Sequence, residues 1–172
     1  MKKIYFFAIL AVILTAGCTP KVRTEAVDLN AVKDTIDQLA EKYLNALISR
    51  DIDVLATLVA DDGLFCGTDP SELFDKPTLV NYWTQMISDT TNDYSYKVDQ
   101  RKIRVAADGK SAIVMEYITA GSWSPVMKIR QTYQVVKNDN KWQIDYISWG
   151  FLVRNEDVGK VNKALMPEDI VQ

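Results

Sequence analysis

The sequence predicts an α+β domain in which three N-terminal helices pack on one face of an antiparallel sheet. Two observations predict it. Apolar residues recur at helical spacing between about residues 28 and 88, and from about residue 94 their period drops to two. Helices gathered in one half of a chain and strands in the other stack as two layers around one core. With 172 residues, 48% hydrophobic and 25% charged, the composition suits one such domain and excludes a disordered chain.

The elements follow in order. Lys2 and Lys3 give a basic start, residues 4–14 form an unbroken run of eleven apolar residues, and Thr15, Ala16 and Gly17 precede Cys18. That is the layout of a secretory signal, and eleven residues fall well short of the ~20 that span a bilayer as a helix. Residues 1–17 therefore read as a signal peptide. Residues 18–27 mix Pro, Lys, Arg and Thr without a period and read as a tether. From 28 to 49, Val32, Ile36, Leu39, Tyr43 and Leu47 line one face of a long helix. Asp51 can cap a second helix through Leu55 and Leu58 to Ala60, which Asp61-Asp62-Gly63 ends. Leu64-Phe65-Cys66 reads as a short strand, and residues 67–71 as a loop. Pro77 opens a third helix to residue 88 that carries Trp83 and Met86. Four β-rich runs follow at 94–106, 111–120, 126–137 and 141–153. Asp108-Gly109, residues 121–125 and Asn138-Asp139-Asn140 join them as hairpin connections. Residues 154–172 form a tail in which Val158, Val161 and Leu165 share one helical face, leaving a docked helix and a loose end both open.

Several chemistries are excluded. The chain has no histidine, which removes His-activated nucleophiles, a His base and His-ligated zinc. It has no glycine-rich phosphate loop or dinucleotide fingerprint, so no cofactor is expected. Asp51-x-Asp53 and Asp61-Asp62 lack the glycine and terminal glutamate of a calcium loop, and capping explains them, so no metal is expected either. Removing residues 1–17 takes away two lysines and no acid, leaving the remainder more acidic than the net −3 of the whole. Nucleic acid is therefore not an expected partner. Cys66 reads as a small buried hydrophobe.

Two resemblances add to this reading. The small residues before Cys18 resemble the lipobox of bacterial lipoproteins, which implies diacylation at Cys18 and export. The membrane is then a partner through the lipid anchor only. Thr19 after the cysteine resembles the pattern sorted to the periplasmic side of an outer membrane, where the host has one. Further along, Tyr43-Leu44-Asn45-Ala46-Leu47, Arg50-Asp51-Ile52-Asp53, Leu58-Val59-Ala60-Asp61-Asp62 and the strand leading into Gly67-Thr68-Asp69-Pro70 resemble a SnoaL-like domain of the nuclear transport factor 2-like superfamily, over residues 28–153. That resemblance implies a cone-shaped fold of helices packed on a curved antiparallel sheet, a pocket where the concave face meets the helices, and a homodimer formed through the outer sheet face. Against the ketosteroid isomerases of the superfamily, Tyr43 stands at the oxyanion-binding tyrosine and Trp149 at a pocket tryptophan. Gly67 and Thr132 stand where the two aspartates would be. Against its limonene epoxide hydrolases, Arg130-Gln131-Thr132 looks like Arg-x-Asp with the acid replaced, and Asp145 supplies the remaining carboxylate.

These resemblances and strand alternation give the candidate ligand-binding residues as Tyr43, Trp83, Arg130, Thr132, Asp145 and Trp149. Alternation puts Arg130 with Thr132 on one face, and Asp145, Ile147 and Trp149 on one face of the next strand. The opposite parity collects Met127, Ile129, Tyr133 and Val135, then Trp142, Ile144 and Tyr146. If that set is the core, Arg130 and Asp145 are a solvated ion pair. Glu116, between Val114 and Ile118, carries the same ambiguity. Three functions stay open. The first is binding of a small apolar or aromatic molecule. The second is an enzyme with Asp145 as general base, Arg130 orienting it and Tyr43 donating to developing charge. The third is a non-catalytic interaction module.

Overall fold

The structure is a computed structural model and describes residues 26–91, 95–121 and 124–166. The signal peptide, Cys18 and most of the tether lie outside the described residues, as do residues 167–172 of the tail. Among the described residues no helix is long and apolar enough to cross a membrane.

Helix α1 spans Leu29–Ser49, and its start is set by Asp28, whose carboxylate accepts from the backbone N–H groups of Asn30 and Ala31. It ends at Arg50, which turns left-handed at φ 62°. The Arg50 guanidinium reaches the carbonyls of Ile87 and Asp89, at 2.9 and 3.2 Å, and so joins the C-terminal ends of two helices. Helix α2 (Ile52–Leu58) is capped by Asp51, and α3 (Lys76–Ser88) by Asp75 with Pro77 in its first turn.

The strands are β1 (Val59–Cys66), β2 (Leu73–Phe74), β3 (Tyr96–Val105), β4 (Ser111–Ala120), β5 (Ser124–Asn138) and β6 (Lys141–Phe151). They form one sheet in the order β2-β1-β6-β5-β4-β3. From β3 to β6 it is the antiparallel meander that the hairpin signals predict. The expected antiparallel cone needs correction on two counts. The sheet is open, with β2 at one edge and β3 at the other, so it does not close on itself. It is also mixed, because β1 pairs parallel with β6. The chain leaves α2 directly into β1 at Val59, whose partner is Ile144, and Asp61-Asp62-Gly63 lies within the strand instead of ending a helix. Parallel pairing with a central strand outweighs local capping and turn chemistry there.

Helices α1, α2 and α3 cover one face. The core between the layers holds Ile36, Leu39 and Leu47 of α1, Leu55 and Leu58 of α2, and Leu79 and Trp83 of α3. Opposite them lie Phe65, Val114, Tyr133, Val135, Ile144 and Ile147 of the sheet. A 3₁₀ turn (Asn155–Asp157) and helix α4 (Val158–Leu165) follow β6, and no residue of α4 is buried.

One irregularity fixes which residues face the core. Along β5 and β6 the partners run Tyr133 with Ile147, Gln134 with Tyr146, and then Val135 with Ile144. Asp145 has no partner: it is the extra residue of a β-bulge. Parity slips by one at that point, so Ile144 and Ile147 are both fully buried although three positions apart.

Candidate functional site

Four strands place one residue each in a single row across the sheet. Arg101 of β3 faces Glu116 of β4, Glu116 faces Gln131 of β5, and Gln131 faces Trp149 of β6. Their side chains are hydrogen-bonded along that row. Trp149 Nε1–H donates to Gln131 Oε1 at 2.5 Å, Gln131 Nε2 donates to Glu116 Oε2 at 3.0 Å, and Arg101 Nε donates to Glu116 Oε1 at 2.5 Å. An indole nitrogen can only donate, so Trp149 fixes the amide with its oxygen outward and its nitrogen toward Glu116. Both Glu116 oxygens then meet donors, a set that suits the ionised carboxylate. Arg101 carries the row into the helix layer, where Nη1 lies 2.8 Å from Asp37 Oδ1 and 2.6 Å from Glu41 Oε1.

Glu116 is 1% exposed. Burial pushes its carboxyl above the usual value; Arg101 pulls it back, and Glu41 adds to the rise. For Arg101 burial acts downward, but Asp37, Glu116 and Glu41 outweigh it and hold the guanidinium charged.

A cavity of about 60 Å³ lies between this row and the helices. Tyr43, Leu44 and Leu47 come from α1, and Tyr82, Trp83 and Met86 from α3. The sheet supplies Tyr96, Ile118, Ile129, Gln131 and Trp149, while Gly67, Thr68 and Glu72 come from the connection between β1 and β2. Tyr43 and Trp83 are buried, with ring centroids 6.1 Å apart, and Tyr43 lies 5.9 Å from the Tyr133 ring. The Tyr43 hydroxyl has no hydrogen-bond partner. Burial first, then Tyr96 and the Glu116 charge, push its pKa well above that of an ordinary phenol, so it stays a donor. Gly67 makes room for Glu72: a Cβ at 67 would lie 2.0 Å from Glu72 Oε2.

Of the residues singled out from sequence, Tyr43, Trp83 and Trp149 line this cavity, and Arg130, Thr132 and Asp145 do not. Ile129, Gln131, Tyr133 and Val135 are the buried parity of β5, which sends Arg130 and Thr132 to the outer face. Arg130 pairs in register with Gly150, five positions from Asp145, and the two form no ion pair. Asp145 sits in the bulge, where its Oδ1 has no hydrogen-bond partner. Burial raises its carboxyl pKa and nearby Asp62 adds to the rise, outweighing a lowering by its own backbone N–H. The arrangement of an Asp145 base, an Arg130 orienter and a Tyr43 donor is therefore not assembled. Cys66 is a half-buried free thiol on β1. Among the described residues no group of three or more Cys, Asp or Glu side chains is placed to hold a metal.

A family model described as a SnoaL-like domain matches residues 36–152. The chain belongs to the SnoaL-like family. Solved structures similar to it include an NTF2-like protein of unknown function from Pseudomonas putida KT2440, 20% identical, with a TM-score of 0.63 over 74% of this chain and 91% of that one. A Caulobacter vibrioides protein with a cystatin-like fold is 15% identical, with a TM-score of 0.64 over 79% and 99%. An NTF2-like protein from Cytophaga hutchinsonii is 19% identical, with a TM-score of 0.57 over 70% and 98%. At these identities the likeness is one of fold. No curated protein matches the chain.

Sequence reasoning missed several residues of this SnoaL-like site. Glu72, Tyr82, Tyr96 and Arg101 carry no local motif. Glu116 is singled out in the sequence with its face left open, and Gln131, which is missed, has the same signal, since each is the one strongly polar residue within an apolar alternation: Ile129-x-Gln131-x-Tyr133 and Val114-x-Glu116-x-Ile118. A polar side chain on a core-facing parity needs a partner on the same face, and here each is the other's partner.

Proposed function

We propose that this SnoaL-like domain binds a small, largely apolar or aromatic molecule in the cavity between helices and sheet, with an oxygen of the ligand accepting from Tyr43. The observation that carries this reading is the Tyr43 hydroxyl, buried without a partner on the wall of a cavity otherwise lined mainly by rings and aliphatic groups. A buried hydroxyl left unmade costs about 1–3 kcal/mol, which a ligand acceptor restores. Gln131 supports the same orientation, because its amide nitrogen keeps one N–H after donating to Glu116. Saturation-transfer NMR with acetophenone tests the reading. Saturable binding is expected, weakened about tenfold in Tyr43→Phe. No saturable binding up to millimolar acetophenone overturns it.

The remaining features of the reading come from sequence. Residues 1–17 act as a signal peptide, Cys18 is acylated, and residues 18–27 tether the domain at the cell envelope, on the periplasmic side of an outer membrane where the host has one. Acyl labelling that persists in Cys18→Ala removes the anchor. A homodimer forms through the outer sheet face, where Arg130 and Thr132 lie; a monomeric mass at high concentration in solution removes that.

A further inference from the structure

We propose that the ligand is a small alkylated ammonium ion, held with its positive charge among the aromatic rings and beside Glu72. This rests on the binding reading above and deepens it by fixing the sign of the ligand's charge. Five rings line the cavity: Tyr43, Tyr82, Trp83, Tyr96 and Trp149. An aromatic face carries partial negative charge, and several rings around one desolvated cation form a cage that selects it over a neutral group of the same shape.

The charges around the cavity point the same way. Among the described residues that line it, Glu72 is the only charged one. Its carboxylate is held in place, since Oε2 accepts from the Asp69 backbone N–H at 3.0 Å and fills the space that Gly67 leaves. Behind Gln131 stands a second carboxylate, Glu116. Its counter-ion Arg101 is shared with Asp37 and Glu41 and points away from the cavity. With Glu72 the one charged residue of the lining and Arg101 outside it, the charge at the cavity wall is negative, which favours a cation and repels an anion.

Alkylation follows from the shortage of acceptors. A primary ammonium brings three N–H donors, each of which needs an oxygen. Beyond Glu72, Thr68 and Gln131, whose oxygen already accepts from Trp149, the lining is rings and aliphatic groups such as Leu44, Leu47 and Ile129, against which methyl groups pack and N–H groups go unmade. A hydroxyl or ether elsewhere on the ligand can take the Tyr43 donor.

The test compares choline with 3,3-dimethyl-1-butanol, its uncharged isostere, by calorimetric titration of the purified protein, with acetophenone binding measured on the same sample. Choline is expected to bind at least about tenfold more tightly than the isostere. In Glu72→Gln, which keeps an oxygen for the Asp69 N–H, the preference is expected to fall below about threefold. Equal or tighter binding of the isostere overturns the cation assignment while leaving the binding reading in place. If acetophenone, choline and the isostere all fail to bind, the binding reading itself has failed.

Discussion

Replacing Arg101 by Met keeps an unbranched aliphatic side chain on β3 and removes the charge that faces Glu116. In the native chain the Arg101 side chain is 11% exposed and that of Glu116 only 2%. The variant therefore strands a buried carboxylate with the Gln131 N–H as its remaining donor. Removing one partner of a buried pair typically costs about 3–5 kcal/mol. Asp37 and Glu41 also lose their partner, but each is 54% exposed and adds little. For a domain of this size about 3–5 kcal/mol lowers the Tm by roughly 6–20 °C. The cost also depends on pH. Burial already holds the Glu116 carboxyl above its ordinary value in the folded chain, so its favourable protonated contribution is full below the unfolded pKa and is lost as pH rises through the folded one. Without Arg101 the folded pKa rises further, so the variant falls further behind wild type as pH increases. Urea unfolding followed by circular dichroism at pH 5 and pH 8 measures both quantities. Adding Glu116→Gln to the Arg101→Met chain should recover part of the loss at pH 8. A cost under about 1 kcal/mol that is equal at the two pH values would refute the argument, because it would mean that solvent screens the pair.

Two further predictions concern the bulge. Asp145→Asn removes a carboxyl whose folded pKa is raised by burial and by Asp62, so its ionisation works against the fold above that pKa. The variant should gain Tm over wild type as pH rises from 4 to 8, with acetophenone binding unchanged; a gap that does not vary with pH counts against the burial of that carboxylate. Gly63→Ala places a Cβ 2.3 Å from Phe65 Cζ and 3.0 Å from the Asp145 carbonyl oxygen. Phe65 is fully buried and cannot yield, so a loss of about 1–3 kcal/mol is expected in urea unfolding, and a neutral result would show that β1 shifts freely against β6.

Much of the fold was legible because its signals are local. The apolar stripe announces α1, Asp51 announces α2 by capping chemistry, Pro77 sits where a first turn tolerates it, and the meander from β3 to β6 follows from alternation broken by turn residues. What was not legible depends on partners distant in sequence. Asp61-Asp62-Gly63 carries every mark of a helix stop, yet it lies in a strand because β6, some eighty residues later, offers a parallel partner. The open edges of the sheet likewise come from a strand order that no local pattern encodes. For the site, Tyr43, Trp83 and Trp149 were readable as large aromatics near the expected pocket. Arg130 and Thr132 were misplaced because the opposite parity of β5 is the one that faces the helices, and Asp145 because strict alternation was carried through β6, which does not alternate.

The bulge that defeated that reading is also what builds the site. Ile144 is fully buried, so a regular β6 would turn Tyr146, Ser148 and Gly150 inward and leave Trp149 on the outer face with Arg130. One extra residue at Asp145 reverses the parity of everything after it. Ile147 then joins the core, and Trp149 comes opposite Gln131, where its N–H orients the amide that reaches Glu116. The unpartnered Asp145 oxygen and the tight approach at Gly63 are local costs of that slip, whereas the row Arg101–Glu116–Gln131–Trp149 is its product. Deleting Asp145 should therefore damage the cavity more than Asp145→Asn does, because the deletion turns Trp149 away from Gln131 and the substitution leaves it in place. Loss of acetophenone binding in the deletion, in a chain that still folds, would separate the backbone role of this residue from that of its carboxylate.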